Sequence, residues 1–407
     1  MASKLNLSYN ILYMYLSVLG RQSNISIAEL EALYSNIKKI NSDLASFDST
    51  DTPNIDKLGG SIKLAEKLSE KPLDYLHNLP DGKITIGISD YSKNANRKSA
   101  TIEALKLKKI LSRHDRSVRV VENKAATLST ATSLHNGLSG KNDKKVEFIK
   151  HNENWYKVIG VQDIDAYSKR DQARPARDAK VGMLPPKLAQ ILINLCGQLP
   201  ENSTVLDPFC GTGVVLQEAL LMGYRAYGTD INERMVDYTK KNLGWLLQLE
   251  ESSSEGIPER GSARISARAP WRWERATRPE EELFQVQAGD AASFKWQPPI
   301  DAVACEGYLG QPMSQIPTEI KLKEQKQECS NIILGFLKNL ADQIAPGTPI
   351  VIAIPAWLRK DGAYSRLEII DNIIKLGYNV NNKSREGLIY HREKQIVARD
   401  IIILRKD

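Results

Sequence analysis

A stretch near the middle of the chain combines an acid with two closely spaced glycines. It reads Val205-Leu-Asp-Pro-Phe-Cys-Gly-Thr-Gly-Val-Val215, so a short apolar run ends in Asp207, and Gly211 and Gly213 precede a second apolar run. Glycines let a backbone approach a ligand closely, and the first turn of a helix offers unpaired N–H groups. The pattern therefore predicts a strand, a ligand-binding loop and a helix.

The residues around the glycines narrow the class of ligand. Leu216 stands where a dinucleotide-binding fingerprint has Gly or Ala, and no Lys-Ser or Lys-Thr pair follows as in a P-loop. The acid at the loop entrance would repel a pyrophosphate but attract a sulfonium or ammonium group. S-adenosylmethionine carries both cations, and we expect it as the cofactor.

Two further acids follow the next two predicted strands. Asp230 ends Gly228-Thr-Asp230, where it can bind ribose hydroxyls, and Asp290 lies in Gln287-Ala-Gly-Asp-Ala291, where it can accept from an adenine amine. The carboxyl ends of parallel strands meet at one sheet edge, so these side chains are expected in one site. The predicted cofactor-binding residues are Asp207, Pro208, Phe209, Cys210, Gly211, Gly213, Asp230, Ile231, Asp290 and Ala291.

The elements that must hold these residues alternate between strand and helix from Leu184 onward. Such alternation predicts a doubly wound, Rossmann-like parallel sheet. The last two predicted strands are separated only by residues 391–394, which is too short for a crossover, so they must be antiparallel. An α/β sheet closed by a C-terminal antiparallel hairpin is the architecture of class I methyltransferases.

The first half of the chain predicts an α+β module, with a loop over residues 41–56 and a helix around Ile62–Leu68. We expect an N-terminal subdomain at 1–56, an RNA-binding domain at 57–166, a polar linker at 167–183 and a catalytic domain at 184–407. Residues 251–282, with six arginines against seven acids, predict a flexible surface insertion that either contacts nucleic acid or, as we favour, is passive.

Positive charge is concentrated in one segment of this module. Residues 91–125 hold ten Lys and Arg against three acids, which matches the net charge of +7 of the whole chain. A dense basic cluster of this kind favours phosphate contacts over a merely solvated helix face. The predicted RNA-binding residues are Lys98, Lys106, Lys109, Arg113, Arg116 and Lys124.

These motifs together resemble a known family. The segment 207–213 looks like the cofactor motif of the THUMP-containing tRNA guanine-N2 methyltransferases, and 174–190 resembles the segment that precedes their catalytic domain and helps to cover the cofactor. Residues 16–33 and 58–63 are similar to the N-terminal module of that family, and the basic 91–165 stretch would correspond to its THUMP domain. The resemblance implies a tRNA substrate, S-adenosylmethionine as donor, and methylation of an exocyclic base amine, guanine N2.

The chain departs from this family at the catalytic motif, which is an acid or amide, two prolines and an aromatic residue. Here the fourth strand ends in Cys305-Glu-Gly-Tyr-Leu-Gly-Gln-Pro312, without either proline. An exocyclic amine is a poor nucleophile, so an acceptor that takes up its proton and a ring that stacks the flipped base assist transfer. Glu306 and Tyr308 are therefore the predicted catalytic residues.

Two alternatives stay open: methylation of a DNA base amine, and an inactive RNA-binding protein that retains the cofactor fold. The histidines and the four scattered cysteines show no metal-ligand spacing, so no metal is expected. The cysteines fit a reducing cytoplasm, and no secretory signal or membrane span is predicted.

Overall fold

The computed structural model describes residues 12–178, 183–252, 280–381, 387–393 and 395–407. The chain divides into two compact units, one ending at Ile164 and the other beginning at Asp165, and each has its own mixed β-sheet. The predicted insertion at 251–282 lies almost entirely outside the described residues.

The first unit is built on an eight-stranded sheet with the order β2-β3-β1-β4-β8-β7-β5-β6. Its strands are β1 (Tyr13–Leu19), β2 (Ser35–Lys39), β3 (Leu44–Ser49), β4 (Ser61–Lys67), β5 (Ile84–Asp90), β6 (Val118–Val120), β7 (Lys145–His151) and β8 (Asn154–Val161). Its helices are α1 (Ser23–Leu33), α2 (Pro72–His77), α3 (Arg97–Ser112) and α4 (Thr130–His135), with a 3-10 turn at Ile55–Lys57.

Two predictions for this unit are wrong. The predicted loop at 41–56 contains strand β3, and the predicted helix at Ile62–Leu68 is strand β4. Strand β1 pairs antiparallel with both of them, and Leu64 and Ala65 of β4 are fully buried. Pairing on both sides outweighs the helix propensity of a Lys-Leu-Ala-Glu segment. One sheet therefore crosses the predicted boundary at residue 56, which does not divide the unit.

The second unit contains the glycine loop. Its strands are β9 (Thr204–Asp207), β10 (Arg225–Asp230), β11 (Phe284–Ala288), β12 (Ala302–Glu306), β13 (Pro349–Leu358), β14 (Tyr364–Arg366), β15 (Tyr378–Val380), β16 (Ile389–Tyr390) and β17 (Val397–Lys406). Its helices are α5 (Ile164–Gln172), α6 (Pro186–Asn194), α7 (Val214–Met222), α8 (Glu233–Ser252), α9 (Glu280–Leu283), α10 (Glu319–Ala341) and α11 (Ile370–Lys375).

The strand order of this unit is β11-β10-β9-β12-β13-β17-β15, with β14 and β16 paired at the side of β13 and β17. Strands β9 to β13 are parallel, and β17 runs antiparallel to its neighbours β13, β15 and β16. Numbered along the chain, the seven main strands take the order 3-2-1-4-5-7-6. The predicted class I methyltransferase fold is confirmed.

The described part of the predicted linker, 167–178, is packed against the second unit. Arg170 of α5 donates from Nε to Oε1 of Glu218 on α7 at 2.7 Å, and the two side chains are 8% and 1% exposed. Burial of an ion pair requires a fixed geometry. The predicted polar linker is therefore not a separate connection over these residues, which belong to the unit that begins at Asp165.

Candidate active site

The centre of the second sheet contains a switch in strand order, and two acids flank it. From β9 the chain moves outward to β10 and β11, then returns to β12 on the other side of β9. In open α/β sheets the crevice at such a switch point binds ligands at the carboxyl ends of the strands. Asp207 ends β9 and Glu306 ends β12, so both carboxylates lie at the crevice.

The glycine loop leaves one side open. Asp207 accepts a hydrogen bond from Phe209 N at 3.1 Å, which starts the turn. A Cβ at Gly213, whose φ is +82°, would lie 2.8 Å from Thr239 Cγ2, so no side chain fits there. A Cβ at Gly211 would have one neighbour within 4 Å among the described residues, the Phe209 carbonyl oxygen at 3.9 Å. The backbone at Gly211 is therefore the part of the loop that a ligand can approach.

Asp230 connects the three strand tips. Its Oδ2 accepts from Gly211 N and its Oδ1 from Asn232 N, both at 2.9 Å. Its carbonyl accepts from Gly289 N at 2.9 Å, in the turn that carries Asp290. Asp290 is exposed and accepts from Ala292 N at 2.9 Å. The three predicted cofactor acids thus occupy one edge of the sheet.

The electrostatics of this edge suit a cation. Burial raises the pKa of Asp207 well above its usual value, and the charges of Asp230 and Glu306 raise it further. Burial also raises the pKa of Asp230. A bound cation relieves the cost of holding such carboxylates ionised. With the open backbone at Gly211 and the 74% exposed Ile231 beside Asp230, these residues fit the sulfonium, ribose and adenine of S-adenosylmethionine.

The side chains of several other predicted cofactor residues are packed within the protein. The Phe209 ring packs edge-on against Phe336, with 5.2 Å between ring centroids. Cys210 and Ala291 are 4% and 5% exposed, and both belong to hydrophobic core clusters. The Pro208 carbonyl accepts from the Thr229 hydroxyl at 3.3 Å. Their side chains support the loop from the core of the unit. Their contact with a cofactor stays a prediction.

The predicted catalytic pair has neighbours that sequence reasoning missed. Arg399 Nε donates to Glu306 Oε1 at 2.8 Å, and the two side chains are 3% and 15% exposed. The available signal was the charged pair Arg399-Asp400 in strand β17, just before the apolar run 401–404.

Tyr308 makes its polar contacts with the loop that follows it and with α10. Its hydroxyl donates to Glu328 Oε1 at 3.0 Å and accepts from Gln311 Nε2 at 3.0 Å. Burial and the bond to Glu328 raise the pKa of Tyr308 to about 12. The hydroxyl is therefore occupied and stays protonated, which leaves the ring as the part of Tyr308 available to a base.

The segment before the catalytic domain reaches the glycine loop. Arg174, which is 3% exposed, donates to the Thr212 hydroxyl at 3.3 Å. Asn242 of α8 donates to the carbonyls of Thr212 and Ala176, each at 2.9 Å. These bonds tie residues 174–176 to the loop. Asn242 was missed because nothing near it in the sequence connects it to either partner.

The predicted RNA-binding residues of the first unit separate into two groups. Lys98, Lys109, Arg113 and Lys124 are exposed and form no ion pair with any residue in the described ranges. Arg116 instead pairs with Asp81 at 3.1 Å, and Lys106 lies 3.5 Å from Glu103.

The guanidinium of Arg116 is held by contacts within the first unit. It is partly buried, and its guanidinium also donates to the carbonyls of Leu79 and Pro80, at 2.8 and 3.1 Å. These bonds leave it poorly placed for phosphate contact. The prediction for Arg116 is therefore not favoured by its surroundings.

Metal sites and reactive thiols are the other chemistry that the described residues could contain. No group of three or more His, Cys, Asp or Glu there could hold a metal ion. Burial raises the pKa of Cys305 well above its usual value, which disfavours a thiolate nucleophile. No helix in the described ranges is long and apolar enough to cross a membrane.

Comparison with known proteins gave sequence relatives over part of the chain. A family model described as DNA methylase matches residues 86–241. The tRNA (guanine(10)-N2)-dimethyltransferase of Methanothermobacter thermautotrophicus is 48% identical over 190 residues, which are 46% of this chain and 44% of the relative. The enzyme of that name from Methanocaldococcus jannaschii is 29% identical over 186 residues, 45% of this chain and 50% of the relative.

The chain thus spans half or less of the length of these curated relatives. Among solved structures, TrmN from Thermus thermophilus aligns over 98% of this chain and 100% of its own, with a TM-score of 0.47 and 15% identity. The predicted resemblance to tRNA guanine-N2 methyltransferases is confirmed by the names of the sequence relatives, whereas the THUMP assignment stays a prediction.

Proposed function

We propose that this chain, a relative of the tRNA guanine-N2 methyltransferases, transfers a methyl group from S-adenosylmethionine to the exocyclic amine of a guanine in tRNA. One observation carries the proposal: Asp207, the open glycine loop and Glu306 meet at the switch point of a class I methyltransferase sheet. Each of these residue types has a separate task in amine methylation.

The first task is to hold the donor. Asp207 and the backbone at Gly211 would bind the methionine part, Asp230 the ribose hydroxyls, and Asp290 with Ile231 the adenine. When bound, S-adenosylmethionine supplies its sulfonium methyl group. The bond from the methyl carbon to sulfur breaks, and sulfur keeps the electron pair. The carbon forms a new bond to the amine nitrogen, which loses one proton.

The second task is to present the base amine. Among the described residues, the hydrogen-bond partner of Glu306 is Arg399, which occupies Oε1. Oε2 is left to accept from the amine and to take its proton. The ring of Tyr308 would stack on the base, which must leave its helical stack to reach the crevice.

The first unit would supply affinity for RNA. Lys98, Lys109, Arg113 and Lys124 would contact the phosphate backbone, which provides binding with little reading of sequence. We further propose that the protein acts in the cytoplasm, in keeping with four free cysteines that are all buried.

Transfer of a tritiated methyl group tests the proposal. The full chain is incubated with labelled S-adenosylmethionine and a tRNA transcript, and the nucleosides are identified by mass spectrometry. We expect N2-methylated guanosine, beginning with position 10, which the relatives' name specifies. A transcript with adenine at position 10 is the matched substrate control, and Glu306→Gln is the protein control.

A DNA base amine is the second candidate, because the matching family model is described as DNA methylase. Label in duplex or single-stranded DNA with none in tRNA would favour that candidate. Cofactor binding by calorimetry with no transfer to either nucleic acid would favour the inactive reading, which the Glu306-Gly-Tyr308 sequence motivates.

A further inference from the structure

The ion pair between Glu306 and Arg399 crosses a strand. Glu306 of β12 is in register with Ala353 of β13, and Arg399 of β17 is in register with Pro355 of β13. Residues in register share a face of a sheet, as do residues two apart on one strand. Glu306, Ala353, Pro355 and Arg399 therefore lie on one face, and the small side chain of Ala353 leaves room for Arg399 to reach across β13.

The surroundings make this pair costly to break. A guanidinium does not lose its proton in proteins, and the Arg399 side chain is only 3% exposed. In the described part of the chain its hydrogen bonds go to Glu306 Oε1 at 2.8 Å and to Gln395 Oε1 at 3.0 Å. Arg399 is thus a buried cation paired with Glu306, one of the carboxylates at the crevice.

The residue that follows Glu306 has no side chain that could hold it in place. The following residue is Gly307, the most permissive residue type, and its N–H is already bonded to the Ala353 carbonyl at 2.9 Å. A longer side chain than Asp, at the end of a strand and before a glycine, needs an external contact to fix its direction. The described contact that does so is Arg399, and it leaves Oε2 without a hydrogen-bond partner among the described residues.

We propose that Arg399 is a positioning residue for methyl transfer. It holds Glu306 by Oε1 and so presents Oε2 as the acceptor for the exocyclic amine. This role rests on the function proposed above and adds to it a residue on the antiparallel strand, outside the set of strand tips that hold the cofactor.

Two substitutions at Arg399 and one control test this role in the full chain. Arg399→Gln removes the charge, and Arg399→Lys keeps it without the planar guanidinium. Arg405→Gln is the matched control, since Arg405 lies exposed near the other end of the same strand and donates to the Gly347 carbonyl at 3.0 Å. Rates are expressed per cofactor-binding site, counted by calorimetry, so that a loss of folded protein does not count as a loss of rate.

For Arg399→Gln we expect kcat per site to fall about 100-fold, as for a misplaced catalytic group, with the KM for tRNA and the cofactor affinity changed by less than about threefold. Arg399→Lys should recover part of the loss, and Arg405→Gln should match the parent. If Arg399→Gln does not fold, Arg399→Lys alone still tests the role, through a smaller fall in kcat at unchanged KM.

Each outcome has one meaning. A parent that methylates tRNA while Arg399→Gln and Arg399→Lys match it per site overturns the positioning role and leaves the proposed function intact. An Arg399→Lys variant no faster than Arg399→Gln also overturns it, because the charge would then not matter. A parent that binds the cofactor and transfers no methyl group refutes the proposed function and this inference with it.

Discussion

At the scale of single residues, Asp207 combines two opposing demands. It is 2% exposed, and burial raises its pKa well above the usual value, so the folded state binds its proton more tightly than the unfolded state does. Stability from this group is therefore fully present at low pH and is lost as the pH rises through the raised pKa. The ionised carboxylate, which burial disfavours, is nevertheless the form that attracts a sulfonium.

Asp207→Asn should therefore separate stability from binding. We expect its unfolding free energy to exceed that of the parent, with the difference growing as the pH rises from the ordinary pKa of aspartate toward neutrality. Cofactor affinity should fall at least about tenfold, because the anion is gone. Urea unfolding and calorimetry measure the two effects, with the exposed Asp237→Asn of α8 as control. A variant less stable than the parent across this range would contradict the argument.

Tyr308 allows its ring and its hydroxyl to be tested separately. Because the hydroxyl is bonded to Glu328, Tyr308→Phe should keep transfer within about threefold of the parent. Tyr308→Ala should lose about 10-fold to 100-fold, the usual worth of stacking one base. Single-turnover rates with tRNA measure both variants. Equal losses in the two would show that the hydroxyl, not the ring, is required.

At the scale of elements, the decisive feature is how α5 is held. The Arg170–Glu218 pair joins α5 to α7, the helix that follows the glycine loop. The Arg170 guanidinium also lies 4.4 Å from the centroid of the Tyr167 ring. A segment that looks like a polar linker in the sequence therefore supports the helix that follows the glycine loop.

Arg170→Ala should lower the unfolding free energy of the full chain by about 3 to 5 kcal/mol, because Glu218 would remain buried without its partner. Arg177→Ala, an exposed arginine seven residues along, should change it by less than about 0.5 kcal/mol. Replacement of both partners, Arg170→Met with Glu218→Leu, should recover most of the loss. Urea denaturation measures all three. Equal effects of the two alanine variants would show that the Arg170–Glu218 pair does not stabilise the fold.

At the scale of the whole molecule, the net charge of +7 is matched by the single segment 91–125. Helix α3 presents part of it on an exposed stripe, where Lys98, Ile102, Leu105 and Lys109 follow one another at helical spacing. Binding that depends on phosphate contacts weakens linearly in log affinity against log salt.

Lys109→Gln should reduce that salt slope for tRNA binding by about 1, since each contact releases about one counterion. Arg116→Gln is a matched control of the same charge change: it should leave the slope unchanged and lower the thermal stability, because Arg116 bonds Asp81 and two carbonyls. Fluorescence titrations at several salt concentrations measure the slopes. An unchanged slope in Lys109→Gln would show that Lys109 does not contact phosphate. A reduced slope in Arg116→Gln would show that Arg116 does.

The sequence by itself determined the parts of the second unit that are local in the chain. A strand that ends in Asp207, a loop with glycines at two fixed positions and a following helix form one short segment, and its chemistry is encoded in residue type and spacing. The positions of the acids at the next two strand ends follow from the regular alternation of strand and helix along the chain. Parallel strands separated by helices place these tips at one edge whatever the rest of the chain does.

Only the tertiary structure decided the contacts between distant residues. Glu306 and Arg399 are separated by 93 positions, and they meet because β17 inserts antiparallel beside β13. The segment at Ile62–Leu68 is a strand for the same reason, since β1 and β8 lie on either side of it. Propensity and periodicity act over a few residues, whereas the choice of neighbouring strand is made by the whole sheet.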